Sequence, residues 1–235
     1  MIMNKINLFS HFYQKNCLLC HADSHEKCCS GCLNDLRGCF TQAAQSCPRC
    51  ASPSETGKMC DRCQRHPPPL AAMWASTHYV PPMPALIHEW KHNKKNALIH
   101  VLCEIMRQNP PAWLPEKPIN AILPMPISKK RLWQRGFHQT EELAQKLAQH
   151  YHLPLLSSQL ILRQHRQAQS QLGYAARRRN IRDVFEIAAD VRDQHILLID
   201  DVYTTGATLH ELARALHESG AMAVYAWTAS RVLLK

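Results

Sequence analysis

The sequence predicts an α/β protein, in which a mostly parallel β-sheet with helices on both faces follows a small cysteine-rich module. Two patterns support this. Ten of the eleven cysteines lie between Cys17 and Cys63, and the region after them alternates short apolar runs with amphipathic helical patterns, as parallel α/β sheets do. The prolines at 67–69 form a stiff linker between the two regions. We therefore predict a cysteine-rich module over 1–66 and a second domain over 67–235.

The cysteine-rich module contains four pairs of cysteines with two-residue spacing, which turns two thiolates toward one metal ion. Two such pairs complete a tetrahedral site, so two structural zinc ions are expected to supply folding free energy to a segment with little apolar core. Sequential pairing is the simplest, although the short loops leave a cross-braced pairing open, and a redox or iron–sulfur centre is the alternative. Cys28 is an alternative to Cys29, whereas Cys39 and Cys103 are expected to be plain thiols. The predicted ligands are Cys17, Cys20, Cys29, Cys32, Cys47, Cys50, Cys60 and Cys63.

The elements of the second domain follow from the periodicity of its apolar residues. Short apolar runs bounded by turn residues predict strands at 73–80, 121–123, 196–199 and 223–229. Apolar residues at three- and four-residue spacing predict helices at 84–91, 97–108, 138–151 and 209–216, the last with a stop signal at Gly220. Strands that alternate with helices place ligands at the carboxyl ends of the strands.

The most specific motif lies at 196–208, where an apolar strand leads into Asp200 and Asp201, a loop over 204–208 and an amphipathic helix. A phosphate binds at such a helix N-terminus because unpaired N–H groups and the helix dipole both favour an anion. The two carboxylates accept hydrogen bonds from ribose hydroxyls or hold metal-bound water. The motif therefore indicates a sugar phosphate, with an ordinary strand–turn–helix as the alternative.

This motif resembles the phosphoribosyl pyrophosphate (PRPP) signature of type I phosphoribosyltransferases. The resemblance implies that fold for the second domain and a site for PRPP with Mg²⁺. Asp200 and Asp201 become the candidate catalytic residues that hold the ribose. The 5′-phosphate is assigned to the loop formed by Thr204, Thr205, Gly206, Ala207 and Thr208. The motif is specific for the ligand but not for the reaction.

Basic residues support the binding of phosphate-rich partners, since the chain carries a formal net charge of +10. Arg131 and Arg135 follow a predicted strand, and with Lys91 they are the candidate ligands of the pyrophosphate. The segment 163–185 is rich in Gln and Arg, which fits either a mobile lid over the site or a helix with solvated arginines. We also expect single-stranded DNA to bind through clustered cations, and the first candidates are Arg177, Arg178, Arg179 and Arg182.

The whole layout is similar to the ComF/GntX family of competence proteins, over nearly the full chain. The motifs that carry this resemblance are Tyr79-x-Pro81-Pro82, Leu86-Ile87-His88-x-x-Lys91, Pro124-x-Pro126, Arg131-x-x-x-Arg135-Gly136-Phe137-x-Gln139, Gln169-x-x-Leu172, Arg177-x-x-Asn180 and Phe185. His138 departs from the pattern, since the family usually has Asn there. The resemblance implies a cytoplasmic protein that handles incoming single-stranded DNA during natural transformation, with proteins of the competence machinery as partners.

Three functions stay open on the sequence. The first is a competence protein that binds PRPP and single-stranded DNA without turnover. The second is an active, Mg²⁺-dependent phosphoribosyltransferase with an unidentified acceptor, and a weaker third is a PRPP-sensing regulator. No apolar segment approaches the length of a membrane span, and the N-terminus is a poor signal peptide, so we expect a cytoplasmic protein with no membrane insertion.

Overall fold

The structure, a computed structural model, describes residues 16–93, 95–127, 132–133, 136, 138–158, 161–163 and 185–233. The described residues form a four-stranded parallel sheet with helices on both faces, preceded by the cysteine-rich module. The predicted fold class is therefore confirmed. Among these residues, no helix combines the length and the apolar character needed to cross a membrane.

All four strands of the sheet extend at least one residue beyond their predicted ranges, although the first ends at His78 and not at residue 80. They are β1 (Ala72–His78), β2 (Ala121–Pro124), β5 (His195–Tyr203) and β6 (Ala223–Arg231), in the order β1-β6-β5-β2. All three pairings are parallel. A separate antiparallel ribbon consists of β3 (Ile161–Arg163) and β4 (Phe185–Ile187). The longer β5 and β6 matter for function, because both carry their polar residues at their carboxyl ends.

The helices of the second domain occur where the apolar spacing predicted them, with shifts of one or two residues at some ends. The described α-helices are α1 (Ser30–Arg37), α2 (Asp61–Arg65), α3 (Met83–His92), α4 (Ile99–Gln108), α5 (Gln139–Tyr151) and α6 (Ala207–Glu218). A 3₁₀ turn at Asn96–Leu98 precedes α4. Gly220, the predicted stop signal, lies two residues beyond α6 with a positive φ of 96°, which glycine adopts without steric cost.

The apolar core consists of two layers, one on each face of the sheet. Leu197 and Ile199 belong to the layer that includes α3, α4 and α5. Ile196 and Leu198 belong to the opposite layer, which includes α6. Because successive side chains of a strand point to opposite faces, burial of both faces explains the uninterrupted apolar run in β5.

The cysteine-rich module covers the outer edge of β1. The backbone N–H of Thr41 donates to the carbonyl of Ser76 (3.1 Å), and the N–H of His78 donates to the carbonyl of Cys39 (2.8 Å). An uncovered edge strand presents unpaired backbone groups to other chains. The segment around residues 39–48 thus completes the hydrogen bonding of the sheet.

Candidate functional site

A cleft of about 470 Å³ lies at the carboxyl ends of β2 and β5, where parallel α/β sheets bind ligands. It brings together five of the residues that the sequence assigned to the PRPP site. They come from helix α3, from the end of β5, from the loop after it and from the start of α6, and they are Lys91, Asp200, Asp201, Thr204 and Thr208. We refer to this space as the cleft.

The acid pair lies within the last residues of β5, and not after the strand as the sequence pattern predicted. Asp200 Oδ1 accepts the backbone N–H of Asp201 at 2.8 Å. Asp201 Oδ1 lies 2.7 Å from Lys91 Nζ, and their side chains are 12% and 18% exposed. Each charge compensates the other in this half-enclosed position. This ion pair holds Lys91, a residue of α3, directly beside the carboxylates of Asp200 and Asp201.

The predicted phosphate loop connects β5 to α6 through Gly206. This residue has a φ of +78° and is the N-cap of α6, while Thr205 Oγ1 accepts the backbone N–H of Ala207 at 3.4 Å. A Cβ at Gly206 would lie 2.2 Å from the hydroxyl of Tyr203, so glycine is required by contact as well as by conformation. Thr204 and Thr208 both line the cleft, which places the first turn of α6 beside it.

Tyr203 lies beneath this loop and was not among the residues the sequence singled out. Its side chain is buried, and its hydroxyl is 3.0 Å from His210 Nε2. Burial raises the pKa of Tyr203 to about 12. Burial, together with nearby Arg214, lowers the pKa of His210 to about 4. At neutral pH the hydrogen bond therefore joins a protonated phenol to an uncharged imidazole.

The N-terminus of α5 forms a further wall of the cleft. His138 is the N-cap, and its Nδ1 accepts the backbone N–H of Glu141 at 3.1 Å. Burial lowers the pKa of His138, which favours the neutral ring that this bond needs. Asn would cap the helix in the same way, so the departure from the family pattern preserves the hydrogen bond. Gln139, next in the chain, donates to the carbonyl of Lys91 at 3.2 Å.

Several predicted cations lie outside the described residues. They are the two candidate pyrophosphate ligands, Arg131 and Arg135, and the four candidate DNA ligands, Arg177, Arg178, Arg179 and Arg182. Their roles stay predictions. Most of the predicted lid segment also lies outside, although the strands at its two ends, β3 and β4, pair with each other.

The eight predicted metal ligands form two separate groups with sequential pairing. One consists of the cysteines at 17, 20, 29 and 32, the other of those at 47, 50, 60 and 63, and the sulfur atoms of each group lie within 4.8 Å of one another. The Cys20–Cys29 and Cys50–Cys60 sulfur pairs are both 3.7 Å apart. Two thiolates on one tetrahedral zinc, with Zn–S bonds of about 2.3 Å, are separated by about 3.8 Å. Both groups are therefore compatible with structural zinc ions.

Backbone donors around the sulfur atoms support the same chemistry. The N–H of Cys29 points to Cys17 Sγ (3.4 Å), and the N–H of Cys60 points to Cys47 Sγ (3.3 Å). Such donors stabilise thiolates, which are the form that binds metal. Cys28 is instead buried in the apolar layer near α4, so it does not replace Cys29.

The two groups belong to two copies of one structural unit, which we name the first cysteine unit (residues 16–37) and the second cysteine unit (residues 46–65). In each, the carbonyl of the first ligand accepts the N–H of a residue with positive φ, His21 or Ala51. In each, the third ligand precedes a helix, Cys29 before α1 and Cys60 before α2. The units differ in burial, because three ligands of the second are buried but only one ligand of the first is.

A second, polar cleft of about 680 Å³ lies between the first cysteine unit and helices α4 and α5. Lys27, Arg107 and Lys146 line it, together with three histidines and two glutamates. Arg107 is paired with Glu104 at 3.1 Å, which leaves the two lysines as its main sources of positive charge. We refer to it as the basic cleft.

Comparison with known proteins agrees with this architecture. Residues 135–229 match the family model for the phosphoribosyl transferase domain. The chain is 32% identical over 229 residues to the DNA utilization protein YhgH of Salmonella typhimurium, a match that covers 92% of this chain and 97% of the relative. Competence protein F of Haemophilus influenzae is 26% identical over 235 residues, covering 94% and 99% of the two chains.

A further relative matches over a smaller share of both chains. Competence protein ComFC of Bacillus subtilis is 28% identical over 206 residues, which are 83% of this chain and 80% of the relative. The matches to YhgH and competence protein F span more than nine-tenths of this chain, so they extend over both the cysteine-rich module and the sheet. The chain belongs to the ComF/GntX family and is a competence-related protein with a phosphoribosyltransferase-type fold.

Proposed function

We propose that the protein is a cytoplasmic competence protein that binds PRPP with Mg²⁺ in the cleft and handles single-stranded DNA during natural transformation. The observation that carries the PRPP proposal is the convergence of Lys91, Asp200 and Asp201 with the loop before α6 in one cleft. An acid pair suits the ribose hydroxyls, and a helix N-terminus suits the 5′-phosphate. A cation beside them suits the pyrophosphate.

The same arrangement supports a second candidate function, transfer of the phosphoribosyl group to an acceptor. Lys91 is held 2.7 Å from Asp201, where an ammonium group stabilises a departing pyrophosphate and the carboxylates stabilise positive charge that develops on the ribose. Mg²⁺ bound with PRPP would neutralise further charge on the phosphates. Release of pyrophosphate from PRPP, assayed with each nucleobase in turn, tests this function directly.

Calorimetry with three ligands tests the assignment of the cleft. We expect Asp201→Asn to weaken PRPP and ribose 5-phosphate by about tenfold or more, because a charge-assisted hydrogen bond contributes about 1.5–3 kcal/mol. Pyrophosphate, which lacks the ribose, should lose little affinity in the same variant. The control is Asp193→Asn, an exposed position with a φ of 57° that Asn tolerates equally well. Equal PRPP affinities for the two variants would contradict the assignment.

The DNA proposal is supported by the relatives named for competence and DNA utilization, by the net charge of +10, and by the basic cleft. Lys27 of the first cysteine unit and Lys146 of α5 both line that cleft. Binding without sequence preference depends on phosphate contacts and counterion release, so the affinity must fall steeply with salt.

Fluorescence anisotropy over a salt series tests this proposal. For single strands each lost phosphate contact reduces the salt slope by about 0.7. We therefore expect a reduction of about 1.4 for Lys27→Gln combined with Lys146→Gln, and of about 2.8 for the four arginines at 177, 178, 179 and 182 changed to Gln. The exposed Lys117→Gln is the control. Failure of the wild-type protein to bind at low salt would remove DNA from the function.

A further inference from the structure

A charged residue at the end of β6 is almost completely buried. Arg231 is 3% exposed, and its guanidinium lies over the ring of Tyr203, 4.7 Å from the ring centroid. Its Nη2 donates to Ser52 Oγ at 2.6 Å. Its Nε and Nη1 are buried without a hydrogen-bond partner among the described residues. A guanidinium in such a place is costly unless negative charge lies nearby.

With metal bound, the second cysteine unit would supply that charge. Ser52 Oγ, the acceptor for Arg231, is also 3.2 Å from Cys50 Sγ. Four thiolates around one divalent zinc carry a net charge of about −2. A metal-bound thiolate has no proton, so with metal bound the Ser52 hydroxyl would donate to Cys50 Sγ while its oxygen accepts from Arg231. Each donor in the series Arg231, Ser52 and Cys50 would then face an acceptor.

On its other side, Arg231 contacts the residue that supports the phosphate loop. The Tyr203 hydroxyl fills the position directly under Gly206, where a Cβ would be 2.2 Å away, and reaches His210 of α6. The backbone adds two links, since the N–H of Tyr79 donates to the Arg231 carbonyl (2.7 Å) and the N–H of Val232 donates to the Tyr203 carbonyl (2.9 Å). Tyr79 and Val232 both line the cleft.

We propose that Ser52, Arg231 and Tyr203 are positioning residues that couple the metal site of the second cysteine unit to the PRPP loop, so that the loop keeps its binding conformation only while that site holds its metal. This inference rests on the proposed function for the meaning of the loop. The first cysteine unit packs instead against the layer of α3 and α4 through Leu33 and Leu36. Its metal is therefore expected to leave PRPP binding unaffected.

Matched ligand variants test the coupling. Cys60→Ser and Cys29→Ser remove the third ligand from the second and the first unit respectively, at positions of similar exposure. We expect PRPP affinity to fall at least tenfold in Cys60→Ser and to stay within twofold in Cys29→Ser, with zinc content measured for both. Equal affinities in the two variants would overturn the proposal.

Variants of the connecting side chains separate positioning from general stability. We expect PRPP affinity to fall at least tenfold in Arg231→Met and severalfold in Tyr203→Phe, and to recover in part in Arg231→Lys, which keeps the charge. Leu36→Ala, which removes core packing in the first unit, is the stability control. Its thermal midpoint should fall while its PRPP affinity stays at the wild-type value.

Hydrogen exchange of the backbone amides at 205–208 supplies a readout that does not depend on PRPP. Exchange should be faster in Arg231→Met and Cys60→Ser than in Leu36→Ala and Cys29→Ser. Absence of PRPP binding in the wild-type protein contradicts the proposed function alone, and the exchange rates then decide the coupling. Equal exchange at these amides in all four variants overturns the coupling, whatever the affinity for PRPP.

Discussion

The two cysteine units have the same local backbone but contact different parts of the protein. The first packs Leu33 and Leu36 against helices α3 and α4, on the face of the sheet away from α6. The second packs Ala51 into the layer of α6, and Ser52 contacts the end of β6 beside the phosphate loop. One unit therefore supports the core and the other supports the loop. A repeated structural unit acquires its role from what it contacts, since the hydrogen bond from the N–H of the third ligand to the sulfur of the first occurs in both copies.

The two units also differ in how deeply their cysteine ligands are buried. In the first, Cys20 is exposed and two further ligands are partly exposed, whereas three ligands of the second are buried. Opening of a site by local fluctuation is easier where fewer contacts hold it. The two metals should then differ in how readily they leave, although the bonds that hold them are chemically the same.

The largest expected effect follows from removal of metal. Each structural zinc contributes on the order of 10 kcal/mol to the folding of such a unit, and metal analysis of the purified protein should find close to two zinc ions per chain. A chelator should release them in two phases, with the first site at least about tenfold faster because its ligands are more exposed. Absorbance of a zinc-binding dye measures both phases.

The variant Cys20→Ser assigns the phases, since it should remove the fast phase and leave the slow one. A single phase for the wild-type protein would contradict the difference in burial, and iron in place of zinc would reject the structural-zinc assignment for both units.

Local features of the sequence were sufficient to predict which cysteines group together and that the acid pair and the loop after it lie at one cleft. Cysteine pairs at two-residue spacing place their thiolates together without help from the rest of the fold. The strand, acid pair and loop around Asp200 are also contiguous, so their arrangement follows from the local chain. The structure placed Lys91 beside Asp201, a contact between distant parts of the chain that local sequence features do not show.

The connection between the two regions was not predictable in this way. Arg231 lies near the end of the sequence, where a charged residue is usually solvated, and the predicted strand stopped at residue 229. Its partner Ser52 is 179 residues away in the chain. Tyr203 stands inside the signature, but only the tertiary structure shows that its ring lies under Gly206. Contacts between distant segments depend on how layers pack, which periodicity does not encode.

A smaller effect on the free energy of unfolding is expected when a methyl group is added to the phosphate loop at Gly206. Gly206→Ala places a Cβ 2.2 Å from the Tyr203 hydroxyl at a φ of +78°. The positive φ lowers the free energy of unfolding by about 1 kcal/mol, because alanine is strained there. The contact with Tyr203 lowers it by about 2 kcal/mol more. Gly136→Ala is the matched control, because Gly136 has the same φ of +78° and no neighbour within 4 Å among the described residues, so it should lose only about 1 kcal/mol.

Urea denaturation measures both losses, and calorimetry with PRPP shows whether the loop is affected. PRPP affinity should fall in Gly206→Ala. Equal unfolding free energies for the two variants would show that Tyr203 does not hold the loop in place, and would remove the support that distinguishes the second unit from the first.

The smallest expected effect compares the equivalent positive-φ residues of the two units, His21 (φ 62°) and Ala51 (φ 51°). Glycine at either position relieves a conformational cost of about 1–2 kcal/mol but adds entropy to the unfolded chain, for a net gain of about 0.5 kcal/mol. His21 is exposed, so His21→Gly should show this gain. Ala51 is fully buried against α6, and loss of its methyl group costs about 0.8 kcal/mol. Ala51→Gly should therefore be slightly destabilised in urea denaturation of the zinc-loaded proteins. If the free energy of unfolding changed with the same sign in both variants, the difference in burial between His21 and Ala51 would be contradicted.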